Sequence, residues 1–377
     1  MNIAGQGRSS PMTGWNQQDP AMAAGLLPVQ DLKTMIEQTG EIRAKAPIEA
    51  CQLQPASLDL RLGKRAFRVR ASFLPGSQAT VEEKIDQLAM HAFELGDQGA
   101  VLEKGCVYIV ELMESLALDE RTAALANPKS SIGRIDVFTR LITDYGVEFD
   151  RVRPHYRGPL YAEISPRTFS ILARQGDRLS QLRVKRYVST DGDDEALAGP
   201  KTGNRQDGVP VTVDLAGIDG SGVIGYRARK HAGLIDLRNL AHYDVREFWH
   251  TVRARDDKTL VLDPDEFYIL ASKEAVRIPP DQAAEMLAYD TSIGEFRVHY
   301  AGFFDPGFGH AEADAEGTRA VLEVRSHEVP FVLEDGQRVG QLIYEHLIER
   351  PDQLYGMEIG SNYQRQGLRL SKHFSVD

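Results

Sequence analysis

The chain has 377 residues, a length that exceeds a typical single domain and predicts two. Its composition, 42% hydrophobic and 26% charged, is typical of a globular protein, and no apolar run approaches the roughly 20 residues that span a bilayer, so no membrane segment is expected. The 44 basic and 55 acidic residues give a formal net charge of −11, which argues against a nucleic acid polymer as partner but leaves room for a small anionic ligand held by a few focused cations.

The first 24 residues are polar and lack the apolar core of a signal peptide, so we expect them to form a mobile arm. The two cysteines of the sequence, Cys51 and Cys106, belong to no CxxC pair. A disulfide framework or a cysteine-rich zinc site is therefore not predicted, and the cytoplasm is the expected compartment.

Three segments have the pattern of a helix. Residues 27–40 are apolar at helical spacing and end in glycine, residues 80–96 begin with Thr80 as an N-cap, and residues 279–287 follow a proline pair. Most other segments are short runs of Val, Ile, Leu, Tyr and Phe between Gly, Pro and Asp, which predict antiparallel strands. The sequence thus predicts a mainly β protein with a few short helices, built from barrels or sandwiches.

The sequence repeats itself at a constant offset of 160 residues. The segment VLEKGCVYIV at 101–110 returns as VLDPDEFYIL at 261–270, and each pattern suits a strand, a turn and a second strand. QGDRLSQL likewise returns as DGQRVGQL, and two glutamates, Glu163 in YAEIS and Glu323 in VLEVR, stand at the same separation. Since chance rarely keeps one offset across several segments, we infer a tandem duplication.

An acidic, Gly-rich stretch at 189–208 has no periodicity and indicates a linker. It divides the chain into an arm at 1–24, a first domain at 25–188 and a second domain at 209–377. We refer to the two domains as the first and second halves.

Several segments of the two halves carry the motifs of one enzyme family. The first half has three of them: LLPVQDLKTMIEQTGEI (26–42), QPASLDLRLG (54–63) and PKSSIGR (128–134). The second half has four: HYAGFFDPGFG (299–309), VLEVRS (321–326), DGQRVGQLIYE (335–345) and SNYQRQG (361–367). These segments resemble the dCTP deaminases of bacteria: the first three are similar to the family's opening, first strand and phosphate motif, and the other four to its base-binding hairpin, catalytic segment, closing strand and tail. The family pattern is thus shared between the halves, and the chain resembles a long, two-domain branch of the family.

The resemblance implies a tandem duplication of a dUTPase-like β-barrel (β-clip) domain that deaminates dCTP to dUTP and ammonia, a step that feeds dUMP and dTTP synthesis. It also implies a ligand of the dCTP, dUTP or dTTP type, Mg²⁺ bound with the triphosphate, and a homo-oligomer, either a trimer or a pseudo-hexamer of barrels. In single-domain relatives the active sites form between barrels: one supplies the base hairpin and a neighbour supplies the phosphate donors.

The SSIGR motif is the candidate phosphate site. Ser130, Ser131 and Arg134 group two hydroxyls with a guanidinium, which is a compact set of donors for phosphate oxygens, and Lys129 precedes them. The second half has TSIGE instead, where Glu295 would repel a triphosphate. The phosphates are therefore expected at the first-half copy.

The candidate base site is the segment AGFFDPGFG at 301–309. Two glycines and a proline in its DPGFG part form a tight turn that lets the backbone approach a flat base closely, and we expect Ala301, Asp305 and Phe308 to contact the substrate. The first half has DYGVEFDRVRPHYRG there, whose extra charge and bulk indicate a hairpin that no longer accepts a base.

Glu323 is the candidate catalytic residue. Loss of the amine from cytosine needs water attack at C4 and proton delivery to N3 and the leaving nitrogen, which a desolvated glutamate with a raised pKa could shuttle. Zinc deaminases need an H-x-E together with a P-C-x-x-C motif, and the sequence has no P-C-x-x-C, so no zinc is expected. The resemblance assigns proton transfer to Glu323, and it assigns the holding and polarising of the water to Arg134 and Ser130. For the equivalent Glu163, a vestigial or structural role is preferred to a second active site.

Gln341 and its counterpart Gln181 match a further family motif near the phosphates, and the sequence leaves open which copy contacts substrate. Tyr363, Gln364 and Gln366 belong to a tail that is expected to close over the nucleotide as a flap.

Two alternatives stay open at this point. A dUTP diphosphatase, or a bifunctional enzyme that deaminates and then hydrolyses the bond between the α and β phosphates, would use the same fold and phosphate donors. The presence of Asp305 is compatible with this hydrolysis. A non-catalytic nucleotide-binding regulator would bind the triphosphate without turnover. Product analysis distinguishes the three.

Overall fold

The computed structural model describes residues 25–187, 208–288, 296–299, 302–310, 317–326, 329–356 and 367–375. The expected arm at 1–24 and nearly all of the expected linker at 189–208 lie outside these ranges. The domain limits given above stay predictions.

Runs of β-branched and aromatic residues form most of the strands, as expected for a half-buried, pleated surface. The strands of the first half are β1 (Gly25–Leu26), β2 (Ile42–Ala44), β3 (Leu53–Gln54), β4 (Ser57–Val69), β5 (Ala89–Glu94), β6 (Ala100–Leu102), β7 (Val107–Ala117), β8 (Thr122–Pro128), β9 (Val137–Thr143), β10 (Arg151–Val152), β11 (Arg157–Pro166), β12 (Ile171–Ala173) and β13 (Arg178–Arg186). The strands of the second half are β14 (Val209–Thr212), β15 (Val223–Ala228), β16 (Ile235–Asp236), β17 (Trp249–Arg253), β18 (Thr259–Leu262), β19 (Phe267–Val276), β20 (Gln282–Ala288), β21 (Phe296–His299), β22 (Phe303–Phe304), β23 (Thr318–Ser326), β24 (Phe331–Glu334) and β25 (Arg338–His346).

The described helices are short: α1 (Val29–Glu37), α2 (Val81–Leu88), α3 (Ser130–Gly133) and α4 (Val245–Phe248). Helix α1 buries Val29, Leu32 and Met35, which recur at helical spacing, so the helix predicted at 27–40 is confirmed. None of the helices in the described part of the chain is long and apolar enough to cross a membrane.

Helix α2 begins at the predicted cap. Thr80 Oγ1 accepts a hydrogen bond from Glu83 N at 3.2 Å, and Glu83 Oε2 accepts one from Thr80 N at 2.7 Å. The helix ends at Leu88, and residues 89–94 form β5, because they pair with β4. The helix predicted over 80–96 is therefore correct only for its first part.

The helix predicted over 279–287 is wrong, since residues 282–288 form β20. Ala, Glu and Met favour a helix locally. Pairing with β25 along the whole strand and the burial of Ala283, Ala284 and Met286 override that preference. The repeat explains the outcome, because the residues 160 positions earlier form the equivalent strand β8.

The two halves have equivalent sheets. In the first half the strand order β10-β8-β13-β4-β7-β11-β9 runs through one sheet, in which the long β4 joins two sets of neighbours. In the second half the same order is divided into two sheets, β14-β25-β20-β22 and β17-β15-β19-β23-β21, so that β14 and β15 together take the place of β4. The mainly β, duplicated fold predicted from the sequence is confirmed.

The duplication also repeats individual contacts. Tyr108 Oη accepts a hydrogen bond from Glu103 N at 3.0 Å, and Tyr268 Oη accepts one from Asp263 N at 3.2 Å. Both residues of each pair are displaced by the same 160 positions, so the repeat in sequence is a repeat in structure.

A large hydrophobic cluster joins the halves. Most of its members belong to the first half, but Trp249, Phe267 and Phe374 of the second half are part of it. Strand β16 of the second half also pairs in parallel with β12 of the first. Because the halves share a buried core, side chains of both can meet in one cavity.

Candidate active site

A cavity of about 890 Å³ opens between the halves. Pockets of roughly 300–1,000 Å³ are typical for small-molecule ligands. Predicted site residues from both halves line it: Lys129, Ser130, Ser131 and Arg134 from the first, and Asp305, Phe308 and Glu323 from the second. The candidate phosphate donors and the candidate catalytic residue therefore face the same space within one chain.

The phosphate motif forms a tight turn, α3, directly after β8. Ile132 N donates to Lys129 O at 2.8 Å, and Arg134 N donates to Ser130 O at 3.0 Å. Arg134 is 3% exposed; its Nε donates to Ser130 Oγ at 3.0 Å and its Nη1 donates to Arg369 O at 2.7 Å. Arg134 and Ser130 are thus held together at the edge of the cavity.

Lys129 is held by a buried carboxylate. Its Nζ lies 2.5 Å from Asp59 Oδ2, and the Asp59 side chain is 2% exposed. Asp59 lies on β4 directly opposite Gln181 of β13. Sequence reasoning did not single out Asp59, although a carboxylate inside the apolar run SLDLRLG needs a buried partner and is a signal of one.

The two equivalent glutamines differ in environment. Gln181 lines the cavity, whereas Gln341 is not among the lining residues, and its Oε1 accepts from Arg338 Nη2 at 3.1 Å. Pro210 of β14 stands opposite Gln341, at the position that Asp59 occupies in the first half. The geometry therefore favours Gln181 over Gln341 for a substrate contact, and the predicted contact of Gln341 stays a prediction.

Glu323 lies in the middle of β23, between β19 and β21, with Ile269 and His299 as its Cα partners. It is 5% exposed and lines the cavity. Burial raises the pKa of Glu323 to about 8; the charge of Arg134 opposes this increase and the charge of Asp136 adds to it. A carboxyl group that titrates near neutral pH can both accept and donate a proton, which is what the predicted shuttle needs.

The candidate base hairpin consists of β20, β22 and the turn that follows. Phe308 N donates to Asp305 O at 3.1 Å, and Gly307 has a φ of 91°, which favours glycine. The Phe308 ring packs against Phe304 and Tyr355, with centroids 5.1 and 5.5 Å apart. Aromatic packing therefore fixes one wall of the cavity, and burial raises the pKa of Asp305 beside it.

The equivalent glutamate of the first half has a different neighbour. Glu163 Oε1 accepts hydrogen bonds from Arg140 Nη2 at 2.5 Å and from Nε at 3.1 Å. The guanidinium carbon of Arg140 lies 3.6 Å from the centroid of the Phe149 ring. Glu163 is not among the residues that line the cavity, so this geometry favours a structural role for it.

The end of the chain packs against the phosphate turn. Ser371 Oγ donates to Ser131 O at 2.7 Å, and the same hydroxyl lies 2.8 Å from His373 Nδ1. His373 Nε2 lies 3.2 Å from Leu237 O, and burial lowers the pKa of His373 to about 4. The segment at 371–373 is therefore held by one contact with the phosphate turn and another with Leu237.

Four basic residues that sequence reasoning missed line the cavity with Lys129: Arg61, Arg178, Arg238 and Lys372. Burial lowers the pKa of Lys372, and the positive charges of Lys129 and Arg178 lower it further. Such a group of cations is suited to a polyanionic ligand. Arg178 stands in the repeated QGDRLSQL segment, whereas Lys372 carries no local signal, because its position depends on the fold of the whole chain.

Four expected substrate contacts, Ala301, Tyr363, Gln364 and Gln366, lie outside the described residues, and their roles stay predictions. Within the described ranges, no group of three or more His, Cys, Asp or Glu side chains is arranged to hold a metal ion.

Comparisons with known proteins cover both halves. Residues 23–188 match the sequence model of the N-terminal domain of 2'-deoxycytidine 5'-triphosphate deaminase, and residues 177–374 match that of its C-terminal domain. The chain is also similar to the crystal structure of 2'-deoxycytidine 5'-triphosphate deaminase from Agrobacterium tumefaciens. The two are 51% identical, the match covers 86% of this chain and 99% of that one, and the TM-score is 0.78.

Curated relatives named "dCTP deaminase, dUMP-forming" match shorter parts of the chain. The protein of Halobacterium salinarum is 32% identical over 33% of this chain and 60% of its own length. That of Pseudarthrobacter chlorophenolicus is 30% identical over 38% and 75%, and that of Kocuria rhizophila is 32% identical over 42% and 79%. Since the two family domains together span nearly all of the described residues, the chain belongs to the 2'-deoxycytidine 5'-triphosphate deaminase family.

Proposed function

We propose that this chain catalyses the hydrolytic deamination of dCTP to dUTP and ammonia, as a step of pyrimidine deoxyribonucleotide metabolism. The observation that carries the proposal is that the first-half phosphate turn and the second-half Glu323 line one cavity. The names of the similar proteins, all dCTP deaminases, support the same substrate.

In the proposed reaction, a water oxygen bonds to C4 of the cytosine ring and the bond between C4 and the exocyclic nitrogen breaks. Glu323 accepts a proton from the attacking water and passes protons to N3 and the leaving nitrogen, so that dCTP and water give dUTP and ammonia. Its raised pKa, about 8, supports this role. Arg134 and Ser130 hold the water and stabilise the developing charge, and the 3.0 Å hydrogen bond between them supports a shared task.

The triphosphate binds at the first-half end of the cavity. Lys129, Arg134, Arg178 and Lys372 are the cations of the lining that we expect to contact phosphate oxygens. The lining also carries carboxylates, among them Asp59, which pairs with Lys129. Mg²⁺ enters as part of the substrate, bound to phosphate oxygens.

A second candidate product is dUMP, formed if the site also hydrolyses the bond between the α and β phosphates. Two observations favour testing for it: the curated relatives above are named as dUMP-forming, and the buried Asp305 lines the cavity. Deamination alone releases ammonia and dUTP, whereas the coupled reaction also releases pyrophosphate.

Product analysis tests both proposals. The purified chain is incubated with Mg²⁺ and dCTP, and ammonia, nucleotides and pyrophosphate are measured for the wild type, Glu323→Gln and Glu163→Gln. We expect ammonia from the wild type and from Glu163→Gln, and a rate lower by roughly 10²–10⁴ from Glu323→Gln.

The matched glutamates make each outcome informative. No ammonia from the wild type rejects the deaminase and favours dUTP hydrolysis or binding alone. Loss of activity in folded Glu163→Gln, with activity kept in Glu323→Gln, assigns the chemistry to the other half. Pyrophosphate in equal amount to ammonia assigns dUMP as the product.

A further inference from the structure

Arg183 is a charged residue at a buried position of β13. Its counterpart 160 positions later is Ile343 on β25, so the arginine departs from the repeat. Arg183 is 3% exposed, and a guanidinium in such surroundings needs acceptors for its donors.

The acceptors of Arg183 in the described structure belong to the hairpin of the other half. Nη1 donates to Ala284 O at 3.0 Å, and Nη2 donates to Phe304 O at 2.9 Å and to Asp305 Oδ1 at 3.2 Å. The guanidinium carbon also lies 4.0 Å from the centroid of the Phe303 ring. One first-half side chain thus joins β20, β22 and the start of the turn.

The hairpin contains a short edge strand at the place where Arg183 holds it. Strand β22 has two residues and pairs with β20 at Ala284 and Glu285. Phe303, Phe304 and Asp305 line the cavity, whereas Arg183 is not among the lining residues. Within the described part of the chain, we therefore expect Arg183 to act on a ligand through the hairpin rather than by direct contact.

We propose that Arg183 is a positioning residue, through which the first half sets the conformation of the hairpin that receives the base. The inference rests on the proposed function. A lysine cannot replace the guanidinium fully, since only the planar fork reaches both carbonyls and the carboxylate while stacking on Phe303. Because a misplacement of about 1 Å in a site costs roughly hundredfold in rate, a loose hairpin should be costly although Arg183 touches no substrate.

The test compares Arg183→Met and Arg183→Lys with the control Arg140→Met. Arg140 is a matched arginine of the first half, since it also binds a carboxylate and stacks on a phenylalanine, but it is not among the cavity-lining residues. Three quantities are measured: kcat and KM for dCTP, the Kd for inorganic tripolyphosphate with Mg²⁺, and amide hydrogen exchange in residues 302–310.

We expect Arg183→Met to lower kcat/KM roughly hundredfold and to speed exchange in the hairpin, while the Kd for tripolyphosphate changes by less than about twofold. Arg183→Lys should recover part of the loss, and Arg140→Met should leave kcat/KM and hairpin exchange unchanged.

Unchanged hairpin exchange in Arg183→Met, or an equal loss of tripolyphosphate affinity, would overturn the inference in favour of a general structural role. If Arg183→Met does not fold, Arg183→Lys decides by the same comparison. If the wild type does not deaminate dCTP, the proposed function fails, but hydrogen exchange still decides whether Arg183 positions the hairpin.

Discussion

Asp136 of the first half and Arg325 of the second half form a buried ion pair across the boundary between the halves. Arg325 stands two residues after Glu323 on β23, so the two side chains leave the same face of the strand. Thr168 Oγ1 donates to Asp136 Oδ2 at 2.5 Å and accepts from Arg325 Nη2 at 3.0 Å. The pair therefore ties the segment after the phosphate turn to the strand that carries Glu323, and it holds a negative charge close to that glutamate.

Asp136→Asn should lower the pKa of Glu323. Burial is the largest cause of the raised value and remains, but the charge of Asp136 is lost and Arg325 loses its counter-charge, so both changes favour the carboxylate. We expect the limb of the pH profile of kcat/KM that reports Glu323, near pH 8 in the wild type, to move to lower pH. The control Thr168→Val keeps the Asp136 charge and should leave this limb in place. If this limb stays at the same pH or moves to higher pH in Asp136→Asn, the assignment of the limb to Glu323 is contradicted.

Glu323→Gln should stabilise the protein at alkaline pH. The pKa of Glu323 is about 8 in the folded chain against an ordinary value of 4.5, so its contribution to stability is complete below about pH 4.5 and is lost as the pH rises through 8. Glutamine cannot ionise, so we expect the variant to gain about 2 to 4 kcal/mol in the free energy of unfolding at about pH 9, relative to its difference from the wild type at about pH 5.

Denaturant unfolding at the two pH values measures this difference. Glu163→Gln is the comparison: it removes the ionic partner of Arg140 and should destabilise the protein at both values. The free energy of unfolding of Glu323→Gln is compared with that of the wild type at each pH. If the difference is the same at both pH values, the carboxyl group of Glu323 is not protonated on folding.

Lys372→Met should weaken the binding of the triphosphate. Lys372 lines the cavity with Lys129 and Arg178, so its loss removes one of several converging charges. We expect the Kd for tripolyphosphate with Mg²⁺ and the KM for dCTP to rise roughly five- to tenfold, less so at high salt. Lys273→Met is the control, because Lys273 pairs with Asp335 and is not among the cavity-lining residues. Equal effects of the two substitutions would count against a phosphate contact.

Gln181→Ala and Gln341→Ala separate the two copies of the repeated glutamine. Gln181 lines the cavity and Gln341 does not, so we expect roughly a tenfold loss of kcat/KM in the first variant and a change within about twofold in the second. Steady-state kinetics with dCTP measures both. A larger loss of kcat/KM in Gln341→Ala than in Gln181→Ala would assign the substrate contact to Gln341.

Much of the fold and of the candidate site could be predicted from the sequence because the signals are local or repeated. The helix at 27–40 follows from the spacing of its apolar residues, and the duplication follows from one offset that links Glu163 to Glu323. The helix predicted at 279–287 failed because a local preference for helix was weighed without its partner β25, although the equivalent strand β8 held that information.

The sequence by itself determined the mainly β character of the fold, the repeat and the motifs that carry the family resemblance. Only the tertiary structure decided that Arg183 contacts the hairpin and that Asp136 pairs with Arg325. It also decided that Lys372 lines the same cavity as the phosphate turn. These contacts join residues more than 100 positions apart, so no periodicity or spacing in the sequence indicates them. The pKa of Glu323 is set in the same way, because the loss of water around a carboxyl group depends on every element packed against it.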